Sequence, residues 1–212
     1  MKLKATSLAA TFLLGLIPAV CHAQNFSADV VYSATSTSAA PSTTATSPHH
    51  SSKLYVSKDK MRLETRGLTG TILLVNAEEH TAVALFPAQK AYQPLAGGPS
   101  EYFRVEDPEN ACPDWQKATD QKIVCQRVGH EVVDGRQTVK YQNKSTLAGD
   151  STSAVWIDPT LNFPVKWENP DISAELRNIK VGPQSAELFA TPDDYGVLRP
   201  GKNQLRMAGR TK

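Results

Sequence analysis

The sequence predicts a mainly β protein: a curved antiparallel sheet that forms an incomplete β-barrel of about eleven strands, with one or two short helices. Short stretches of alternating apolar and polar residues follow one another between residues 26 and 181, and turn residues separate them at close intervals. A sheet of that many strands has to curl or split rather than stay open and flat. A strongly curved sheet has a concave face, which an apolar ligand can occupy if the side chains do not fill it.

The first half of the chain is predicted to form strands joined by short turns. The letters SKDK separate two apolar alternations, NAEEH separates the next two, and FPAQK turns the chain into a sixth. Leu54 and Val56 share one face of the second strand, and Met61 and Leu63 share one face of the third. The predicted strands in this half are 26–32, 53–57, 60–66, 70–76, 81–86 and 91–95.

The second half contains the predicted helix, residues 109–121, with Pro113 in its first turn. Asp134-Gly135 is the dipeptide best suited to the positive dihedral angles of a tight hairpin turn, and Asp158-Pro159 starts another turn. The predicted strands here are 122–133, 137–143, 151–158, 163–169 and 172–181.

The hairpin AVWIDPTLNFPVKWE, residues 154–168, carries aromatic residues on both arms. Alternation puts Val155 on one face of the first arm and Trp156 on the other, whereas Val165 and Trp167 share a face of the second arm. A strand that is apolar on both sides needs cover on both faces. Two interpretations follow: Trp156 packs beneath a loop or the short helix, or it lies where the sheet curls around a ligand.

Residues 1–23 are typical of a secretory signal peptide, because two lysines precede an apolar run that is too short to span a bilayer stably. We expect cleavage after Ala23 and a periplasmic or secreted mature protein. Lipidation of Cys21 is the alternative, but Val20 and Pro18 stand where that processing prefers a small residue and leucine. No second apolar run is long enough for a transmembrane segment in the mature chain.

The mature chain is predicted to contain one β domain, residues 24–196, and a flexible basic tail, residues 197–212. Within the domain, residues 33–52 contain nothing apolar larger than alanine, so we expect a disordered Ser/Thr/Ala/Pro loop. All 21 acidic residues lie before this tail, and five of the 23 lysines and arginines lie within it. The resulting negative charge of the domain argues against nucleic acid as a partner.

Cys112 and Cys125 are the two cysteines that remain after cleavage. An oxidising compartment makes a disulfide between them the default, and a loop of this size contributes about 3 kcal/mol of stability. A reactive or metal-binding thiol pair is the alternative, but the spacing is not C-x-x-C and no second pair lies nearby.

The common catalytic signatures are missing: the sequence has no G-x-S-x-G, P-loop, H-E-x-x-H or G-x-G-x-x-G. His49-His50 has no acidic or cysteine neighbour, so we predict no metal and no cofactor. His130 and Glu131 are adjacent on a strand and point to opposite faces, which places them poorly for joint catalysis. The sequence favours a protein that is not an enzyme. The weakest alternative is a hydrolase whose catalytic residues are far apart in the sequence.

Arg62 and Glu64 share the strand face opposite Met61 and Leu63. One interpretation is a solvated ion pair, which contributes less than about 1 kcal/mol. The other is an electrostatic latch at the rim of a cavity.

Seven fragments in a fixed order resemble the outer-membrane lipoprotein-sorting (LolA-like) superfamily, in particular a group of uncharacterised exported domains (DUF4412-like). The likeness covers nearly the whole mature chain except residues 33–52 and the tail. The fragments are Phe26-Ser-Ala28, KLYVSKDKMRLE, TILLVN, VALFPAQKAY, GHEVVDG from Gly129 to Gly135, VWIDPTLNFPVKWE and AELFATPDDY.

The resemblance implies a curved, incomplete antiparallel barrel around a hydrophobic cavity, used by its characterised relatives to hold acyl chains or to sense mislocalised lipoproteins. In the carrier LolA, the segment after the first strand often contributes a lid helix. Here that segment is rich in Ser, Thr, Ala and Pro, which does not suit an apolar helix face.

We therefore predict an exported, non-enzymatic domain that holds a lipid acyl chain or an acylated partner such as a lipoprotein in a concave apolar cavity. The alternative is a structural or interaction module of the cell envelope with a filled barrel, which contacts a protein partner through its loop or tail. Alternation offers ten candidates for the cavity lining: Leu54, Val56, Met61, Leu63, Ile72, Leu74, Val83, Leu85, Val165 and Trp167.

Overall fold

In the computed structural model, the described residues form one sheet of twelve strands, and every neighbouring pair except one is antiparallel. The strands are β1 (Phe26–Ala34), β2 (Ser52–Ser57), β3 (Lys60–Glu64), β4 (Ile72–Asn76), β5 (Thr81–Phe86), β6 (Ala91–Pro94), β7 (Ile123–Val133), β8 (Arg136–Ser145), β9 (Thr152–Asp158), β10 (Phe163–Glu168), β11 (Ile172–Val181) and β12 (Gly196–Val197). The helices are α1 (Cys112–Ala118) and two 3-10 turns, Pro87–Gln89 and Ala186–Phe189. The structure describes residues 25–35, 52–65, 70–96, 104–118, 123–145 and 152–198.

The strand order is β12-β6-β5-β4-β3-β2-β1-β11-β10-β9-β8-β7, so the sheet is not closed into a barrel. This confirms the predicted mainly β class and the incomplete barrel. The strand beyond the predicted eleven is β12, which pairs in parallel with β6 and spans the predicted boundary between domain and tail. None of the helices in the described residues is long and apolar enough to cross a membrane.

Turn chemistry joins the strands as the sequence predicts. Asp134 and Gly135 both have positive φ angles, 48° and 76°, in the turn between β7 and β8, as a two-residue hairpin turn requires. Lys58 and His80 take the positive-φ positions in the SKDK and NAEEH turns. Asn162 has a φ of 51° in the turn between β9 and β10, where asparagine tolerates the left-handed region.

Helix α1 begins three residues later than predicted. The Asp107 side chain accepts a hydrogen bond from the Glu109 N–H at 2.9 Å, and its carbonyl accepts one from the Asn110 N–H at 3.0 Å. These bonds make a local turn that competes with helix formation. Pro113 lies in the first helical turn, where its missing N–H costs nothing.

Three predicted regions lie largely outside the described residues. The signal peptide, residues 1–23, lies wholly outside them, as do residues 36–51 of the predicted loop and residues 199–212 of the predicted tail. The loop's two ends are strands instead: Ser33 and Ala34 extend β1, and Ser52, which is 3% exposed, begins β2. Ser52 pairs with Val30, which explains why a polar residue is ordered there.

The residue pairing between strands shows which side chains share each face of the sheet. Leu54 pairs with Leu63, and Leu63 pairs with Leu73, so these side chains share the face that we call the inner face. Phe26 and Val30 of β1 extend this face, and it carries most of the larger cluster of buried apolar residues. The opposite face, called the outer face, carries Arg62 and Glu64.

Four of the predicted cavity residues lie on the outer face, which corrects the sequence prediction. Arg62 pairs with Leu74, which pairs with Val83. Glu64 pairs with Ile72, which pairs with Leu85. Residues 72–75 are apolar at every position, so alternation could not show which side chains face inward. The residues that share the inner face with Met61 and Leu63 are Leu73, Val75, Ala82 and Ala84.

The segment 182–198 covers part of the outer face. The Arg62 Nη1 donates to the Leu188 carbonyl at 2.9 Å, and the Arg62 Nε is 2.7 Å from Glu64 Oε1. Further along, the Leu198 N–H donates to the Tyr92 carbonyl at 2.7 Å. Arg62 and Glu64 therefore form neither a freely solvated pair nor a latch on the inner face. They anchor the C-terminal segment to the back of the sheet.

Candidate ligand-binding cavity

A cavity of about 540 Å³ lies on the inner face, between the β2–β3 hairpin and the β9–β10 hairpin. Its volume is within the range of roughly 300 to 1,000 Å³ that small-molecule sites occupy. Among the described residues, ten apolar and three polar ones line it: Val30, Leu54, Met61, Leu63, Trp115, Ala154, Val155, Phe163, Pro164 and Trp167, with Ser153, Glu168 and Asn169.

One end of the cavity is closed by aromatic and aliphatic side chains. The Phe163 ring meets the Phe26 ring edge to face, with centroids 5.2 Å apart and an angle of 74° between the planes. Phe26 and Leu161 have no exposed surface, and Val56 is also fully buried beside them in the same apolar cluster. This end is therefore a packed core, as expected where aromatic edges meet apolar neighbours.

Arg104 joins the two hairpins at this closed end. Its Nε donates to the Lys58 carbonyl at 2.7 Å, in the turn between β2 and β3, and its Nη1 donates to the Leu161 carbonyl at 3.0 Å, in the turn between β9 and β10. Burial lowers the pKa of the Arg104 guanidinium, and the Asp59 carboxylate opposes that shift. Since the two turns belong to the two cavity walls, Arg104 fixes the distance between the walls at this end.

Helix α1 contributes Trp115 to the cavity wall. The disulfide between Cys112 and Cys125, with Cα atoms 5.5 Å apart, ties the start of the helix to β7 and confirms the predicted pair. With the Asn143 amide oriented so that its oxygen faces the indole, it accepts the Trp115 Nε1–H at 3.0 Å. Asn143 is 2% exposed, so this bond satisfies a buried polar group.

Tyr141 holds the segment before α1 against the inner face of β8. Its hydroxyl accepts the Ala111 N–H at 3.2 Å and donates to the Pro108 carbonyl at 2.9 Å. Burial raises the pKa of the Tyr141 phenol, so the phenol keeps its proton and the donated bond at neutral pH. Outside this contact, the Arg127 Nη2 lies 2.6 Å from Glu109 Oε2 and adds an exposed ion pair.

The polar lining residues lie at the other end, where β10 ends and the chain turns toward β11. Glu168 lines the cavity at the end of β10, but its carboxylate is on the outer face, where its Oε1 is 2.7 Å from the Lys166 Nζ. The Asn169 Oδ1 accepts the N–H groups of Asp171 and Ile172 at 2.9 and 2.8 Å. Trp167 lies next to Glu168 in β10 and contacts both apolar clusters of the protein. We call this the polar end of the cavity.

The structure brings four of the ten predicted lining residues to the cavity: Leu54, Met61, Leu63 and Trp167. Val56 and Val165 are fully buried in the inner-face core and do not line it. The four residues on the outer face, Ile72, Leu74, Val83 and Leu85, are separated from it by the sheet.

Several lining residues were not predicted from the sequence. Val155 and Phe163 both follow from the alternation in the β9–β10 hairpin and could have been included. Val30 belongs to the first predicted strand, where the regular alternation also signals one buried face. Trp115 carries no such signal, because its position depends on how α1 packs over the sheet.

Trp156 lies on the outer face rather than in the cavity. It is 3% exposed and belongs to the larger apolar cluster. Two lysine side chains also lie over its ring, with the Lys140 Nζ 4.6 Å and the Lys166 Nζ 4.4 Å from the ring centroid. Its Nε1 donates to Glu131 Oε2 at 2.7 Å. The two lysines contribute to its cover through cation–π contacts, which neither interpretation of the hairpin anticipated.

The residues considered for catalysis do not converge. The His130 Nε2 is 2.8 Å from the Arg127 Nη2 and 3.9 Å from Glu109 Oε2, on the exposed surface. Glu131 instead faces Lys140 and Trp156. In the part of the chain that the structure describes, no three His, Cys, Asp or Glu side chains are grouped so that they could hold a metal ion.

Comparison with known proteins shows the fold. No family model and no curated protein matches the chain. An uncharacterized conserved protein from Thermus thermophilus matches at a TM-score of 0.50 and 12% identity, over 85% of this chain and 93% of that one. PNGF-II matches at a TM-score of 0.52 and 9% identity over 89% of this chain, which spans only a third, 33%, of PNGF-II.

The LolA superfamily is also represented among the matching structures. Its member NE2245 from Nitrosomonas europaea shares 11% identity over 79% of this chain and 90% of that chain, at a TM-score of 0.34. No comparison singles out the DUF4412-like group. All these identities are too low to show more than a similar fold.

Proposed function

We propose that this protein is an exported, non-enzymatic binding domain that holds the hydrocarbon chain of a lipid or of an acylated protein. One observation carries the proposal: a cavity of about 540 Å³ on the inner face, lined mainly by apolar side chains. An apolar cavity of that size favours an apolar occupant, because each buried methylene contributes about 0.8 kcal/mol.

The distribution of polar groups supports a ligand that enters with its hydrocarbon end first. Ser153 and Asn169 lie toward one end, and the opposite end is the packed contact between Phe26 and Phe163. A headgroup bound at the polar end keeps its hydrogen bonds, while the chain occupies the apolar part.

The cavity lining also favours binding over catalysis. Among the described residues the lining includes Ser153 but no histidine, cysteine or lysine, so none of them pairs this hydroxyl with a histidine base. The disulfide between Cys112 and Cys125 supports an exported location, since such bonds persist in oxidising compartments.

The test fills the cavity with a larger side chain and measures the affinity for a fatty acid probe. We expect the wild-type protein to carry an amphiphile in native mass spectrometry and to bind a fluorescent fatty acid. Leu63→Trp places a larger side chain in the cavity and should weaken probe binding by at least about tenfold, which corresponds to 1.4 kcal/mol.

Leu95→Trp is the matched control, because Leu95 is 36% exposed and does not line the cavity. This variant should bind the probe as the wild type does. A wild-type protein that carries no amphiphile and does not bind the probe would contradict the proposed function.

A second candidate function is supported by strand β7, which lies at an edge of the sheet. Among the described residues, no strand pairs with its outer side, and Val124, Val128 and Val132 are 58%, 49% and 61% exposed. Such an edge can add an extended segment of an envelope protein as a further strand. In complementation of a deletion strain, loss of function in Val128→Lys but not in Leu63→Trp would favour this candidate.

A further inference from the structure

We propose that Phe163 sets the depth of the cavity and so limits the length of the hydrocarbon chain that the protein accepts. This inference rests on the proposed function, because it assigns a specificity role to one wall of the same cavity. Phe163 is the first residue of β10, whereas Glu168, at the polar end of the cavity, is the last.

Phe163 is the boundary between open volume and packed core. It lines the cavity, whereas Phe26, whose ring lies 5.2 Å away, does not line it and has no exposed surface. A chain that enters from the polar end and runs along β10 therefore meets the Phe163 ring before any other residue of the closed end. Beyond this ring the interior is filled.

The surrounding contacts hold Phe163 in place. The Asp158 Oδ1 accepts the N–H groups of Thr160 at 2.7 Å and Leu161 at 3.2 Å, which fixes the turn before β10. Arg104 holds the Leu161 carbonyl from the other wall at 3.0 Å. The ring cannot swing away without losing its edge-to-face contact with Phe26, so it acts as a fixed stop.

A fixed stop predicts a recognisable dependence of affinity on chain length. Each further methylene that enters the cavity should tighten binding by about fourfold, the equivalent of about 0.8 kcal/mol. Once the chain end reaches Phe163, additional methylenes stay outside and the affinity stops rising. The length at which this plateau begins measures the depth of the cavity.

The experiment measures the displacement of a fluorescent fatty acid by straight-chain saturated fatty acids of increasing length. Phe163→Ala should move the plateau to longer chains, and two further buried methylenes would tighten the binding of these chains by about fifteenfold. Phe163→Leu is a milder variant that decides the question if the alanine variant does not fold. It should move the plateau by a smaller amount in the same direction.

Phe189→Ala is the matched control, because Phe189 lies in the 3-10 turn of the outer-face segment and does not line the cavity. It should leave the plateau where the wild type has it. If the Phe163 variants fold, bind and keep the wild-type plateau, Phe163 does not set the depth, although the cavity still binds hydrocarbon. If the wild type binds no chain of any length, the proposed function fails and this inference fails with it.

Discussion

Both faces of β4 and β5 are apolar, yet among the described residues of β3, β4 and β5 only the inner face of β3 borders the cavity. On the outer face, Leu74 is 6% and Leu85 is 1% exposed, and the segment 182–198 runs across that side, anchored by Arg62. On the inner face, Met61 and Leu63 are half-buried and line the cavity.

The two faces differ in the segments that pack over them. In the described residues, the outer-face segment adds strand β12 to the sheet edge and bonds to Tyr92 and Arg62 along its length. The inner face is covered near β7–β9 by a seven-residue helix, tied to β7 by the Cys112–Cys125 disulfide. The cavity therefore results from a short helix packed over a curved sheet and not from any special polarity of the strands.

The largest expected effect distinguishes the two faces by stability. Leu85→Ala should lower the free energy of unfolding by about 2 to 5 kcal/mol, because it removes packed atoms and leaves a new void. Leu63→Ala should cost about 1 kcal/mol, because this side chain already borders open volume and only part of its surface is lost from contact. Urea denaturation of both variants and the wild type measures the two values.

Equal losses for the two leucines would contradict the difference between the faces, since they would mean that Leu63 is as tightly packed as Leu85. Leu95→Ala serves as the exposed control, and it should change the free energy of unfolding by less than about 0.5 kcal/mol.

The next effect concerns the cover of the inner face. Replacing Cys112 and Cys125 together by serine removes a crosslink that spans 13 residues of sequence, and should cost about 3 kcal/mol of stability. Because the same bond ties α1 to β7, the variant should also bind the fluorescent fatty acid less tightly. If the variant loses stability but keeps its affinity for the fluorescent fatty acid, Trp115 stays in the cavity lining without the disulfide.

Much of the fold could be predicted because its signals are local. Strands Thr81–Phe86 and Ile172–Val181 lie within the bounds that alternation predicts, and Asp134-Gly135 forms the turn that its chemistry favours. Strand β12 could not be predicted, because two residues carry no alternation and the strand exists only where the chain returns to the edge of β6.

The candidate site was harder to predict because it depends on long-range register and packing. Leu54 and Met61 belong to a strand pair in which polar residues alternate with apolar ones, so their face could be assigned. In residues 72–75 every side chain is apolar, so alternation cannot distinguish Leu74, on the outer face, from Leu73 and Val75 on the inner face. The contact of Phe163 with Phe26 joins residues 137 positions apart, which no local pattern reveals.

The smallest expected effect tests the cover of Trp156 on the outer face. Hydrogen bonds from Lys140 and then from Trp156 hold the pKa of the Glu131 carboxyl below its ordinary value. A lowered pKa in the folded state means that the carboxylate adds stability above the ordinary glutamate pKa and loses this contribution as the pH falls through the folded-state value. Because Glu131 is 46% exposed, the contribution should stay below about 1 kcal/mol.

Glu131→Gln should therefore be slightly less stable than the wild type at pH 7, and the difference should shrink as the pH falls below about 4. The glutamine keeps an oxygen for the Trp156 N–H but loses the charge that faces Lys140, so the variant isolates the ionic part of the cover. Denaturant unfolding of both proteins across this pH range measures the difference. A stability difference that does not change with pH would mean that the carboxylate acts on Trp156 only as a neutral acceptor, and the lysine cover would then be attributed to packing and cation–π contacts alone.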